Sequence, residues 1–208
     1  MKVAVCVPSR GTIYSQTIEQ VLREVDGYDH RFFFSHAKPI PDCFNLLCDM
    51  ALKDESVTDL WFVEEDMFLP KGVLDELAYA RDPIAAVDYP VAPGVGSVRT
   101  RDGEVLFTGT GCLLVKREVF EKIGKPYFRT DIEYLLPDYT PIKTKGSSGV
   151  YGKHDVTFGM TVREHGYYIT VVDKPAGQYR MVKRGAEGRN DGYHKIVTWT
   201  DINREVDW

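Results

Sequence analysis

No stretch of this chain approaches the roughly 20 consecutive apolar residues that cross a bilayer. Its apolar runs, such as residues 3–7 and 113–115, are only strand-length. A secretory leader is not expected either. Lys2 precedes five apolar residues, too few for a leader's hydrophobic region, before Pro8-Ser9-Arg10 breaks the run. Cysteine pairs at zinc or redox spacing are missing: Cys43 and Cys48 are five apart, and Cys6 and Cys112 sit in apolar runs where a thiol acts as a small hydrophobe. The expectation is a cytoplasmic protein with no membrane insertion. An overall positive charge is also lacking. The net charge of −5 argues against a surface built to bind nucleic-acid backbone, although Lys183, Arg184, Arg189 and Lys195 leave a local basic patch. There is no internal repeat and no low-complexity tract. What is present, 208 residues with 43% hydrophobic and 27% charged, suits one domain that can bury a core. That domain is expected over residues 1–182, with a partly flexible tail, 183–208, packing on it.

Residues 2–7 alternate with β-branched side chains and stop at Pro8, which predicts a buried strand and a turn. Ile18, Val21, Leu22 and Val25 recur at the spacing of an amphipathic helix. Residues 31–35, with three consecutive phenylalanines, predict a second strand. Phe44, Leu47, Cys48, Ala51 and Leu52 give the inner face of a second helix. Residues 59–63 are a third strand, a helix follows Pro70, and residues 83–87 are a fourth strand. This βαβαβαβ order predicts an α/β fold: a mostly parallel central sheet with helices on both faces. Ligands of such sheets bind beyond the carboxyl ends of the strands. Further on, strands are expected at 104–107, 112–115 and 168–172, and helices at 117–123 and 154–165. Residues 127–151 read as a long loop of the kind that forms lids or binding loops. Residues 185–192 have the composition of a flexible segment.

The sharpest chemical signal is Glu64-Glu65-Asp66, three acids directly after the apolar strand Trp61-Phe62-Val63. Crowded carboxylates repel, and a divalent cation relieves the repulsion. Mg²⁺ or Mn²⁺ takes hard oxygen ligands and often combines one or two carboxylates with substrate phosphates. Side chains alternate along extended backbone, so Glu64 and Asp66 should point one way and Glu65 another. The competing account is a solvated acidic turn.

The run Leu60-Trp61-Phe62-Val63-Glu64-Glu65-Asp66-Met67-Phe68-Leu69-Pro70 resembles the acidic-triplet segment of family 2-type GT-A glycosyltransferases. Four more segments resemble the same family in the same order. They are Val5-Cys6-Val7-Pro8-Ser9-Arg10-Gly11, the helix from Pro41 to Leu52 with Asn45, the stretch Thr108-Gly109-Thr110-Gly111-Cys112 running on to Arg117, and Gly152-Lys153-His154-Asp155 with the later Gly166-Tyr167. The chain departs from the pattern twice: Glu64 stands where the family has Asp, and His154 where Glu is common. The resemblance implies a GT-A domain, of bacterial or phage type, that moves a sugar from a nucleotide-diphosphate donor, a UDP-sugar first, to a hydroxyl acceptor with inversion.

On that resemblance Asp66 holds Mn²⁺ or Mg²⁺, with Glu64 assisting, and Asp155 takes the acceptor proton. Asp155 could instead cap a helix, and His154 is the alternative base. Pro8, Ser9 and Arg10 would lie beside the donor, with Arg10 suited to a diphosphate. Ser35, His36, Asn45, Glu65, Gly109 and Gly111 complete the donor set, each with a plain structural alternative in a turn, a backbone bond or an exposed charge. Gln178 stands where related enzymes often place a metal-binding His, so no third protein ligand is expected there. The acceptor should meet residues 127–151 and the tail, and a hydroxymethylated DNA base is one acceptor class. The alternatives are a sugar nucleotidyltransferase and a non-catalytic nucleotide-sugar-binding module.

Overall fold

The near-continuous apolar run after Met1 becomes β1 (Lys2–Ser9), buried on both faces. The computed structural model describes residues 1–36, 38–92, 95–132, 153–182 and 193–197. After β1 come α1 (Ser15–Glu24), β2 (Asp29–His36), α2 (Asp42–Leu52) and β3 (Asp59–Val63). Then follow β4 (Met67–Phe68), α3 (Val73–Ala78), β5 (Ile84–Val87), β6 (Pro90–Ala92), β7 (Val95–Gly96), β8 (Val98–Arg101), β9 (Glu104–Thr108) and β10 (Cys112–Lys116). The chain continues through α4 (Arg117–Ile123), α5 (His154–Glu164), β11 (Ile169–Val172), β12 (Gly177–Val182) and β13 (Tyr193–Val197).

Six strands form the central sheet in the order β11–β5–β10–β3–β1–β2. Five run the same way, and β10 lies antiparallel between β3 and β5. The α/β expectation therefore holds, with one refinement: β3 and β5 are not neighbours, because the wholly apolar Cys112-Leu113-Leu114-Val115 is inserted between them. Alternation sorts the strand residues onto two cores. Ala4, Cys6, Leu60, Phe62, Leu113 and Val115 meet α2, α4 and α5 on one face. Val3, Val5, Val7, Trp61, Val63 and Leu114 meet α1 and α3 on the other. All four cysteines are free and buried. Among the described residues no helix is long and apolar enough to cross a membrane.

Two expectations need correction. The inner stripe of α1 is not Ile18, Val21, Leu22 and Val25, because Leu22 is 51% exposed while Thr17 and Glu24 are buried. These polar groups face inward because they bond backbone: the Thr17 hydroxyl donates to the Met67 carbonyl (2.8 Å), and Glu24 accepts the Leu74 N–H (3.3 Å). Secondly, the short strands β4, β6–β8, β12 and β13 had no sequence signal. β4, β12 and β13 form a separate sheet beside the acidic turn, while β6 pairs with β7 and β8 with β9 as two hairpins. Most of the long loop, from residue 133, and residues 185–192 lie outside the described residues.

α5 crosses β9 so closely that Gly159 has no room for a side chain. A Cβ there would lie 2.7 Å from Phe107 Cα and 2.8 Å from the Leu106 carbonyl oxygen. Gly→Ala inside a helix ordinarily stabilises by about 1 kcal/mol. Gly159→Ala should instead destabilise by ~1–3 kcal/mol through overpacking, read as a lower urea midpoint. A raised midpoint would contradict this crossing.

Candidate functional site

The carboxyl ends of β1 and β3 open onto a cleft of about 700 Å³ whose walls include Pro8, Ser9, Arg10, Glu64, Glu65 and Asp66. The acidic turn is fixed by backbone bonds from three directions. Glu64 N–H donates to the Gly111 carbonyl (3.0 Å), Tyr14 N–H to the Glu65 carbonyl (3.0 Å) and Tyr179 N–H to the Asp66 carbonyl (2.6 Å). The rings of Tyr14 and Tyr179 stack at 5.4 Å across the turn. This is the service of the small β4–β12–β13 sheet: it brings Gln178 and Tyr179 to the cleft wall opposite β1.

The three acids have different surroundings. Glu65 is buried and both its oxygens go to Arg10, one to the backbone N–H (2.7 Å) and one to Nε. The Arg10 guanidinium also reaches within 4.0 Å of Asp66 and remains largely exposed to the cleft. Glu64 accepts a bond from the Thr110 hydroxyl (2.8 Å). Burial, reinforced by Asp66 and Asp155, pushes the Glu64 carboxyl up to about 7. Burial likewise pushes Asp155 up to about 7. Asp155 lies in the first turn of α5, after the cap residue Lys153, and takes the neighbouring Val156 N–H (2.8 Å). It is near enough for its charge to act on Glu64 and on the buried Tyr89 hydroxyl. Desolvation drives His154 the other way, down to about 4, so its imidazole is neutral at pH 7. Only 6% exposed, it sits against Phe44 with ring centroids 4.9 Å apart.

Several predicted donor residues are placed elsewhere. Ser35 is buried with its hydroxyl unpartnered, and the exposed His36 stacks on Phe34; neither lines the cleft. The Asn45 amide is taken up by backbone, donating to the Phe128 carbonyl (2.8 Å) and accepting the Phe128 N–H (3.0 Å). Gly109 and Gly111 make room for the Tyr89 ring: a Cβ on Gly111 would lie 2.6 Å from the ring carbon that bears the hydroxyl. Lys38 and Tyr14 line the cleft without having been foreseen, since neither follows an apolar strand or a sequence pattern. Thr110, the polar side chain between Gly109 and Gly111 just before β10, joins the site through its bond to Glu64.

The donor chemistry here suits a partial cation site. Among the described residues no three His, Cys, Asp or Glu side chains converge closely enough to hold a metal unaided. Glu64 and Asp66 offer hard carboxylate oxygens to the cleft, and a pair of that kind could hold Mg²⁺ or Mn²⁺ only with water and phosphate oxygens completing the coordination.

The chain matches no protein-family model and no curated protein sequence. Its fold is similar to that of A197 from STIV, at a TM-score of 0.57 and 18% identity over 88% of this chain and 87% of that one. A Drosophila β-1,4-galactosyltransferase 7 mutant, in complex with manganese, UDP-Gal and xylobiose, matches at a TM-score of 0.49 and 15% identity, over 83% and 65% of the two chains. A putative glucose-1-phosphate thymidylyltransferase from Bacillus anthracis matches at 0.48 and 9% identity, over 85% and 88%. At these identities the likeness is one of fold.

An acid whose folded-state pKa is raised binds its proton more tightly folded than unfolded. Its contribution to stability is therefore present below its ordinary value and lost as pH rises, here from about 4.5 to about 7 for Glu64. In cation-free buffer, Glu64→Gln should raise the melting temperature more at pH 8 than at pH 5, by an amount worth at most about 3 kcal/mol. Equal changes at both pH values would contradict a carboxyl held protonated by its surroundings.

Proposed function

We propose that this chain is a metal-dependent GT-A glycosyltransferase that moves a sugar from a nucleotide-diphosphate donor, a UDP-sugar first, to a hydroxyl acceptor with inversion. The observation that carries the reading is the juxtaposition of Glu64 and Asp66 with the exposed Arg10 guanidinium on one cleft, beyond the carboxyl ends of β1 and β3. Such a cleft presents anionic and cationic groups together, which is what a cation–diphosphate pair requires. The transferase domain is taken as residues 1–182, with 183–208 as a tail packed on it. The free, buried thiols suit a cytoplasmic setting.

When bound at Asp66 and Glu64, Mg²⁺ or Mn²⁺ would supply Lewis-acid neutralisation of the departing diphosphate. Arg10, beside the same carboxylates, would add a charge-assisted bond to the phosphates. Lys38, which also lines the cleft, would supply a second cation for the donor. Asp155 would accept the acceptor's proton, and a carboxyl pushed to about 7 has a basicity matched to that task near neutral pH. His154, buried against Phe44 and neutral, is the weaker candidate for the base. The acceptor itself is left open; of the basic residues behind a modified-DNA acceptor, Lys183, Arg184 and Arg189 lie outside the described residues and Lys195 lies in β13.

One observation favours a second reading. Arg10 already bonds Glu65 and approaches Asp66, so the acidic turn is partly neutralised by the protein's own cation. A nucleotide-sugar-binding module that works without metal would use the turn in that way.

With Mn²⁺ and UDP-sugars, the wild type should release UDP, and Asp66→Ala should abolish that release while retaining its fold by circular dichroism. Turnover that survives in Asp66→Ala, or UDP binding that is equally tight with and without Mn²⁺ in a thermal-shift assay, would favour the module. Asp155→Asn should slow transfer by about 10²–10⁴-fold with UDP affinity unchanged. A normal rate in that variant would remove Asp155 as base.

A further inference from the structure

Behind the acidic turn lies a buried polar chain that the proposed transfer does not use. Thr110 is 2% exposed, and its hydroxyl oxygen lies 2.8 Å from Glu64 Oε1 and 3.1 Å from His154 Nε2. A hydroxyl has one proton to give. With a cation bound, Glu64 is ionised and can only accept, so that proton goes to Glu64. The remaining contact is then a hydrogen bond only if His154 carries its own proton on Nε2 and donates to Thr110. That choice leaves Nδ1 bare, and His154 Nδ1 is indeed a buried atom with no partner. The opposite tautomer would put an unsatisfied N–H there and leave Nε2 competing with Glu64 for one hydroxyl proton.

The imidazole is in turn held in place. It lies against Phe44 from α2 at 4.9 Å and Phe128 at 6.3 Å. The backbone of Phe128 is clamped to α2 by both groups of the Asn45 amide. The order of support runs from Asn45 through Phe128 and His154 to Thr110, and it ends on one oxygen of Glu64. Glu has one more rotatable bond than Asp, so a Glu at this position gains most from being fixed.

We propose that Thr110, oriented by the Nε2–H of His154, is the positioning residue for Glu64: it holds Oε1 so that Oε2 is presented to the cation shared with Asp66. This role rests on the metal-dependent reading above. Outer-sphere partners of this kind typically change metal affinity about 10–100-fold when removed. His154, standing where the resembling family has Glu, acquires a use here that needs no proton transfer to substrate.

The test is a calorimetric titration of Mn²⁺ into the full chain saturated with UDP, beside an NMR measurement of the His154 tautomer in the chain saturated with UDP and the diamagnetic Mg²⁺. Thr110→Val, nearly isosteric, should weaken Mn²⁺ binding about 10–100-fold, and Thr110→Ser should restore it to within a few-fold. Wild-type His154 should show a protonated Nε2 and a bare Nδ1 in its nitrogen chemical shifts. If Asp66→Ala loses Mn²⁺ while Thr110→Val binds it like the wild type, the positioning role is overturned and the metal reading stands. A bare Nε2 in the wild type likewise overturns the role alone. A wild type that takes up no Mn²⁺ beside UDP would remove the metal reading and this role with it.

Discussion

Carboxylates cannot be crowded at the mouth of an apolar strand without a compensating positive charge, and the architecture around β3 follows from that constraint. Leu60 to Val63 are fully buried, so the chain leaves the core directly into Glu64-Glu65-Asp66. Each acid is accommodated differently: Glu65 by Arg10, Glu64 by a hydroxyl and a shift toward its neutral form, Asp66 at the cleft within reach of Arg10. A carboxyl held toward its neutral form by burial, and further by neighbouring acids, is poised to ionise when a cation arrives.

Rigidity is the second requirement. An ion shared with a phosphate is bound well only if its ligands need little rearrangement. Three backbone N–H···O bonds, from Tyr14, Tyr179 and Glu64 itself to Gly111, fix the acidic turn to α1's approach, β12 and β10. The Gly111 end is itself set from behind. Its N–H donates to the Tyr89 hydroxyl (2.9 Å), and both flanking glycines leave space for that ring. Residues that seemed suited to touch a ligand thus shape the wall on which the ligand-facing groups stand.

How much of this could be read from the sequence depended on the range of the interactions. β1, β3 and α4 declared themselves because burial on both faces gives unbroken apolar runs and because Gly124 follows α4. The acidic turn was visible because charge directly after such a run is costly. Asn45 was not legible, since its partner Phe128 is 83 residues away and the amide could as well have faced a ligand. β4 was invisible for a different reason: a two-residue strand leaves no periodicity to read. Arg117, part of the resembling segment, turned out to bond the carbonyls of Leu52 and Asp54 at the end of α2 (3.0 and 2.9 Å), a role that only the folded chain reveals.

The central claim is that Glu64 and Asp66 share a divalent cation with a nucleotide diphosphate. Anomalous scattering from crystals grown with Mn²⁺ and UDP tests it most directly. A manganese peak within bonding distance of Asp66 and Glu64, with the diphosphate between it and Arg10, is the expected result. UDP bound in the cleft with no peak at those carboxylates, and Arg10 still paired with Glu65 and Asp66, would contradict it.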